Sequence, residues 1–223
     1  MAEIVGLIPM AGNGTRLGMS FPKPLAPTIT GAGIVPLYYH TLGELRKVAG
    51  RIIAITSEST DMCLIRSLRE NGIEEMTSAE ENLPGSFGYA GRVLTMLGYD
   101  TIVVTVLPDS IWSLANGASL GDVVENMRSD GALALFTGAS NEIDEVETDG
   151  DRVVRVTTKS SGAGMVRGWG AFAIRAGALA KMTGKEKDGP QLGRLDMGWA
   201  FLGGYVDLGT PERYIRWHDM RWR

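Results

Sequence analysis

Short apolar runs alternate along the chain with segments whose apolar residues recur at helical spacing, the pattern of strands and helices in alternation. Ile4-Val5-Gly6-Leu7-Ile8, closed by Pro9, predicts a buried first strand. Arg51 to Thr56, built on Ile52-Ile53-Ala54-Ile55, predicts a second, and Thr101 to Leu107 another. Ile102-Val103-Val104-Thr105-Val106 leaves no polar face, so both faces are expected to be covered and the central sheet to be mainly parallel. Between these strands, Tyr38, Leu42, Leu45 and Ala49 share one face of a helix, as do Ala90, Val93, Leu94 and Leu97. A helix carrying Met62, Ile65 and Leu68 has Ser59 or Thr60 as its expected cap.

The pattern changes after about residue 140. Glu142 to Thr148 and Arg152 to Thr158, joined by Asp149-Gly150-Asp151, predict an antiparallel hairpin. Gly168 to Ile174 predicts a strand, residues 183–198 a loop, and Ala200 to Val206 a last strand. A helix follows, capped by Thr210 with Pro211 at its first position, where a missing N–H is harmless. No internal repeat, low-complexity tract or long linker divides the chain. The expected architecture is α/β: a single domain over residues 1–223, an α/β sandwich on a mainly parallel central sheet. Residues 1–140 form its first half and residues 141–223 a smaller, antiparallel second half.

Composition narrows the partners. Among 223 residues, 22 Lys and Arg face 26 Asp and Glu, and a net charge of −4 argues against nucleic acid as a partner. Arg213, Arg216, Arg221 and Arg223 read as a solvated helix face and tail. No apolar run approaches the roughly 18 residues that cross a bilayer. Met1-Ala2-Glu3 lacks the basic start of a signal peptide, so a cytoplasmic protein without a membrane partner is expected. The one cysteine, Cys63, has no intrachain disulfide partner and is expected to be a buried, inert thiol. His40 and His218 have no ligand residues at metal-binding spacing and read as structural.

The sharpest chemical signal is Ala11-Gly12-Asn13-Gly14-Thr15-Arg16-Leu17-Gly18, followed by Pro22-Lys23-Pro24. Glycines directly after a buried strand let backbone N–H groups approach a polyphosphate without Cβ obstruction. Arg16 offers a guanidinium fork and Lys23 a compact charge, its backbone restricted by a proline on each side. Two other phosphate loops fail on spacing. Leu17 stands where a dinucleotide fingerprint needs its third glycine, and Lys23 lacks the Gly-Lys-Ser/Thr context of a P-loop.

Ile8-Pro9-Met10-Ala11-Gly12-Asn13-Gly14-Thr15-Arg16-Leu17 with Phe21-Pro22-Lys23-Pro24-Leu25 resembles the signature of the sugar-phosphate nucleotidyltransferases. These include UTP–glucose-1-phosphate uridylyltransferases and glucose-1-phosphate thymidylyltransferases. The resemblance implies a nucleotide-binding three-layer α/β/α sandwich with a mixed, mainly parallel central sheet, with residues 1–140 as the nucleotide half and 141–223 as the acceptor half. It implies catalytic roles for Arg16 and Lys23 on the NTP phosphates, and nucleotide contacts for Ala11, Gly12, Asn13, Gly14 and Thr15. Leu83-Pro84-Gly85-Ser86-Phe87-Gly88 resembles the segment that touches the base in relatives, through Gly85 and Ser86, and is also an ordinary helix start.

Two aspartates end strands, where ligands of open α/β sheets gather: Asp109 in Leu107-Pro108-Asp109 and Asp207 in Asp207-Leu208-Gly209-Thr210-Pro211. Either can serve as a turn or cap residue. Together they suit Mg²⁺, which takes one or two carboxylates plus substrate phosphates. The resemblance implies metal binding for both, because they match the family's Leu-Pro-Asp and Asp-x-Gly-Thr-Pro motifs. Lys159 matches the family's acceptor-phosphate lysine, but Thr158-Lys159-Ser160 replaces the usual Glu-Lys-Pro. Trp169-Gly170-Ala171-Phe172 resembles the acceptor-side strand, which implies acceptor contacts for Trp169 and Gly170.

The reaction implied is condensation of an NTP with a sugar 1-phosphate to give an NDP-sugar and pyrophosphate. An acceptor phosphate dianion is already nucleophilic, so positioning and charge stabilisation carry the catalysis. Two alternatives stay open on the residues. One is a cytidylyltransferase of this fold for a non-sugar phosphate such as phosphocholine, which an aromatic cage of Trp169, Trp199 and Tyr205 would favour. The other is a homologue that binds nucleotide without turnover. The NTP base, the acceptor and the oligomeric state are not readable from the residues.

Overall fold

The computed structural model describes residues 2–11, 19, 21–30, 33–80, 82–97, 101–114, 117–139, 143–159 and 164–221. The chain opens with β1 (Glu3–Pro9), the ribbon β2 (Pro27–Thr30) and β3 (Gly33–Pro36), α1 (Tyr38–Leu45), β4 (Arg51–Thr56) and α2 (Met62–Glu70). It continues through β5 (Glu74–Thr77), α3 (Leu83–Met96), β6 (Thr101–Val106), β7 (Ser110–Leu114), α4 (Leu120–Glu125) and β8 (Gly131–Ala139). The hairpin β9 (Glu145–Asp149) and β10 (Arg152–Thr157) comes next, then β11 (Met165–Arg175), with short helices α5 (Ala176–Leu179) and α6 (Asp188–Leu192). The last elements are β12 (Met197–Asp207) and α7 (Pro211–Arg221).

Among the described residues, eight strands form one mixed sheet in the order β5-β4-β1-β6-β11-β8-β12-β7. β1 runs parallel to β4 and β6, β4 to β5, and β8 to β12. β11 enters antiparallel between β6 and β8, and β7 lies antiparallel against β12. Strands from late in the chain are therefore threaded among early ones, and this topology builds the site.

Alternation along each buried strand feeds two cores, as the period of two requires. Val5, Leu7, Ile53, Ile55, Val103 and Phe172 face α3, α5, α6 and the β9–β10 hairpin. Ile8, Ile52, Ala54, Val104, Ala171 and Ala173 face α1, α2 and α4. Full coverage on both sides explains why the strands read as continuous apolar runs. α3 approaches α5 through glycines: a Cβ on Gly88 would lie 2.0 Å from the Met182 carbonyl, and one on Gly91 2.4 Å from the Ala180 nitrogen.

Several expectations are corrected. Asp61, not Ser59 or Thr60, caps α2 by accepting from the Cys63 N–H at 2.7 Å, while Thr60 accepts from the Ser57 N–H. The buried stripe of α2 is Leu64, Ile65 and Leu68, which turns Met62 outward. Cys63 lies on that outer side and is exposed, not buried. β12 begins at Met197 and runs to Asp207, and the stretch expected as loop contains α6. α7 starts where Thr210-Pro211 predicts, with Thr210 Oγ1 accepting from the Arg213 N–H at 3.4 Å.

Candidate active site

Lys23 opens a short 3-10 turn, Lys23–Leu25, between Pro22 and Pro24. The turn is closed by Leu25 N–H to Pro22 and Ala26 N–H to Lys23. Ala26 packs with Leu37, Ile111 and Leu208 into a small core of its own, onto which α7 adds Tyr214 and Trp217. Anchored in this way, Lys23 is buried, and its Nζ is paired with the Asp109 carboxylate.

Asp109 sits in the turn that carries β6 into β7, and its carbonyl accepts from the Leu208 N–H at 2.9 Å. Asp207 ends β12 directly opposite Ser110, so the two aspartates occupy adjoining ends of paired strands. Asp207 Oδ1 accepts from the Gly209 N–H at 2.7 Å, and Oδ2 accepts from Arg213 Nη1 at 2.8 Å. A Cβ on Gly209 would lie 2.6 Å from Asp207 Oδ1 and 3.1 Å from Lys23 Nζ, so both groups flank the same glycine. The fold thus brings together three side chains that lie far apart in the chain.

Tyr205 stands behind the two acids. Burial foremost, and then the negative charge of Asp109 and Asp207, pushes its hydroxyl well above the usual 10, against a hydrogen bond with Ser110. The hydroxyl therefore stays neutral. A Cβ on Gly170 would lie 2.6 Å from the Tyr205 ring and 2.9 Å from Trp112, so Gly170 makes room for these rings and does not line the cleft in front of them.

That cleft, of about 820 Å³, runs from Asp207 and Tyr205 to Lys159 and Trp169, the two acceptor-side residues singled out from the sequence. Lys159 is exposed, and its N–H donates to Asp144 Oδ1 at 3.2 Å. The walls also carry Asp144, Lys187, Asp188, Arg213 and Arg216, which sequence reasoning missed. The arginines read as a solvated face therefore include two that line the cleft; their spacing of three on a helix directly after Asp207 was the available signal. Burial above all, with Asp144 adding to it, raises the Asp188 carboxyl above the ordinary aspartate range. Trp199 is elsewhere, donating to the Gly150 carbonyl at 3.1 Å beneath Arg167, so it does not join Trp169 and Tyr205 in a cage.

The nucleotide-side residues divide. Ala11 lies two residues beyond the end of β1, while Gly12, Asn13, Gly14, Thr15 and Arg16 lie outside the described residues. Gly85 and Ser86 are buried in the first turn of α3, where Asn82 Oδ1 accepts from the Gly85 N–H at 3.0 Å. Gly85 borders a separate hollow with Glu80, Arg92 and Thr183, not the cleft that Tyr205 and Lys159 line.

The described residues contain no group of three or more His, Cys, Asp or Glu suited to a metal. Asp109 and Asp207, all-oxygen donors at adjoining strand ends, nevertheless fit a hard divalent cation that completes its shell with phosphate and water.

Against known proteins, no family model and no curated sequence matches the chain. Solved structures do. A Bacillus anthracis protein described as a glucose-1-phosphate thymidylyltransferase superposes with a TM-score of 0.76 at 15% identity, over 97% of this chain and 94% of that one. The fold is that of the nucleotide-diphospho-sugar transferases. UDP-glucose pyrophosphorylase from Acinetobacter baumanii gives 0.72 at 13% identity, over 97% and 92% of the two chains. Inositol-1-phosphate CTP transferase from T. maritima gives 0.69 at 14%, over 96% and 92%. At these identities the likeness establishes fold.

Proposed function

We propose that this chain is a nucleotidyltransferase that joins an NTP to a sugar 1-phosphate and releases pyrophosphate. The observation that carries the reading is the meeting of Lys23, Asp109 and Asp207 beside a cleft whose far wall holds Lys159. The solved structures of the same fold are named for nucleotidyl transfer or pyrophosphorylase activity, and this chain covers 92–94% of their length, which supports the reading.

In this reading Asp109 and Asp207 would hold Mg²⁺, which when bound would supply positive charge beside the triphosphate. Lys23 turns from Asp109 to the phosphates, and Arg16 joins it from the glycine loop. Lys159 orients the acceptor phosphate for in-line attack on the α-phosphorus: the new P–O bond forms as the α–β bridging bond breaks, and pyrophosphate leaves with its electron pair. No side chain has to remove a proton, because the acceptor dianion is the nucleophile.

The experiment is a matrix of the common NTPs against phosphorylated sugars, inositol 1-phosphate and phosphocholine, read by pyrophosphate release and product mass. A sugar 1-phosphate giving an NDP-sugar supports the proposal. Product from phosphocholine alone selects the cytidylyltransferase alternative, and nucleotide binding without pyrophosphate from any pair selects the non-catalytic one.

A further inference from the structure

Both carboxylates offered to a divalent cation already carry a counter-cation, and the two pairs differ in how readily they open. Lys23 and Asp109 expose only 8% and 18% of their side chains, whereas Arg213 and Asp207 expose 31% and 33%. A pair that open to water exchanges partners easily, because solvent takes over most of the attraction. Arg213 also stands in the first turn of α7, where a cation opposes the helix dipole, so helix stability does not account for it. The helix itself is fixed by the Thr210 cap, by Tyr214 donating to the Pro27 carbonyl, and by Trp217 in the core around Leu208. Arg213 can therefore swing as a side chain while α7 stays in place.

The cleft that Arg213 lines holds further cations. Arg216 follows three residues on, and Lys159 and Lys187 line the same cavity. A guanidinium freed from Asp207 in this setting presents a planar fork that matches two phosphate oxygens.

We propose that Arg213 is an exchangeable phosphate ligand: it neutralises Asp207 while the site is empty and passes to the acceptor phosphate once a divalent cation takes the carboxylate. This deepens the transferase reading, on which it rests for the metal at Asp207. It makes cation binding and acceptor binding mutually supportive, since each favours the state in which the Arg213–Asp207 pair is open.

The test uses binding, so that it stands apart from turnover. Mn²⁺ is titrated into the full chain without nucleotide and read by electron paramagnetic resonance. Inorganic phosphate is titrated calorimetrically in the presence of Mg²⁺. Arg213→Met is expected to bind Mn²⁺ about tenfold more tightly, because Asp207 loses its competitor, and phosphate at least about tenfold more weakly. A residue that merely held Asp207 in place would weaken both. Mn²⁺ affinity that falls or stays level in Arg213→Met, or unchanged phosphate affinity, overturns the proposal, as does a wild-type chain that binds no Mn²⁺. Should circular dichroism show Arg213→Met misfolded, Arg213→Lys carries the decision: Mn²⁺ affinity near wild type with phosphate affinity several-fold weaker supports the exchange, and unchanged phosphate affinity refutes it. Wild-type pyrophosphate release, measured separately, reports on the transferase reading alone.

Discussion

Adding one carbon to Gly209 separates the site from the scaffold. Its backbone is not in the left-handed region, so alanine meets no intrinsic strain there. The new Cβ would lie 2.6 Å from Asp207 Oδ1, where ordinary contact begins at 3.4 Å, so the carboxylate must give by about 0.8 Å. Retreat breaks or bends the 2.7 Å bond from the Gly209 N–H, and the methyl also presses on Lys23 Nζ at 3.1 Å. Both groups are side-chain ends, so the stability loss should stay near ~1 kcal/mol, a fall in Tm of about 2–4 °C. Displacing a positioning group by close to 1 Å is worth about 10²-fold in rate. Pyrophosphate release under saturating substrates should therefore drop about 100-fold in Gly209→Ala, with a melting curve close to wild type. Gly88→Ala is the counterpart: its Cβ would meet the Met182 carbonyl at 2.0 Å, and backbone cannot step aside cheaply. It should lose about 3 kcal/mol or more while any folded fraction keeps its turnover number. A Gly209→Ala chain with wild-type turnover would refute the reasoning that Asp207 and Lys23 must keep their places.

Three further outcomes follow from the same structure. Lys23→Met and Asp109→Asn each strand a mostly buried charge or its partner, so each should cost about 3 kcal/mol in urea unfolding, with the double variant costing clearly less than their sum; additivity within about 0.5 kcal/mol would deny the ion pair. Asp196 is held at about 2 against an ordinary 3.8, by the Ser129 hydroxyl first and the Arg128 guanidinium next. The unfolded chain therefore takes up this proton first, and the contribution is complete above about pH 4 and lost as pH falls towards 2; Asp196→Asn should flatten the acid-unfolding curve over that interval, and an unchanged curve would contradict the assignment. Cys63, exposed on α2, should react stoichiometrically with a thiol reagent in the native protein. Labelling only after denaturation would restore the buried thiol.

Period and composition carried a large part of the architecture. The runs behind β1, β4 and β6 are apolar on both faces because both faces are covered, and this is visible without knowing what covers them. The β9–β10 hairpin was legible from Asp149-Gly150-Asp151, since Gly150 takes the positive φ the turn needs. β5 and β7 were not legible. Glu74-Glu75-Met76-Thr77 lies at the sheet edge and Ser110 to Leu114 pairs on one side only, so neither has the doubly buried pattern that announces a strand. The exposure of Cys63 was missed for a related reason: the angular offset between it and the Leu64–Ile65–Leu68 stripe depends on which face the sheet takes.

The chemistry on offer was already written in short stretches of residues: a glycine loop after a buried strand, a lysine locked between prolines, and aspartates at the ends of two strands. Those signals are local, because turn geometry, restricted φ and strand ends are properties of a few consecutive residues. Which of these groups meet was decided only in three dimensions, by β7 lying antiparallel against β12, so that Asp207 faces Ser110 next to Asp109 and Lys23. The same step turned Arg213 and Arg216 from a presumed solvent face into a cleft wall, opened Gly170 to the rings of Tyr205 and Trp112, and sent Trp199 to a different hollow. Pairing between strands far apart in the chain depends on the summed packing of both faces of the sheet, and no short window of residues contains that sum.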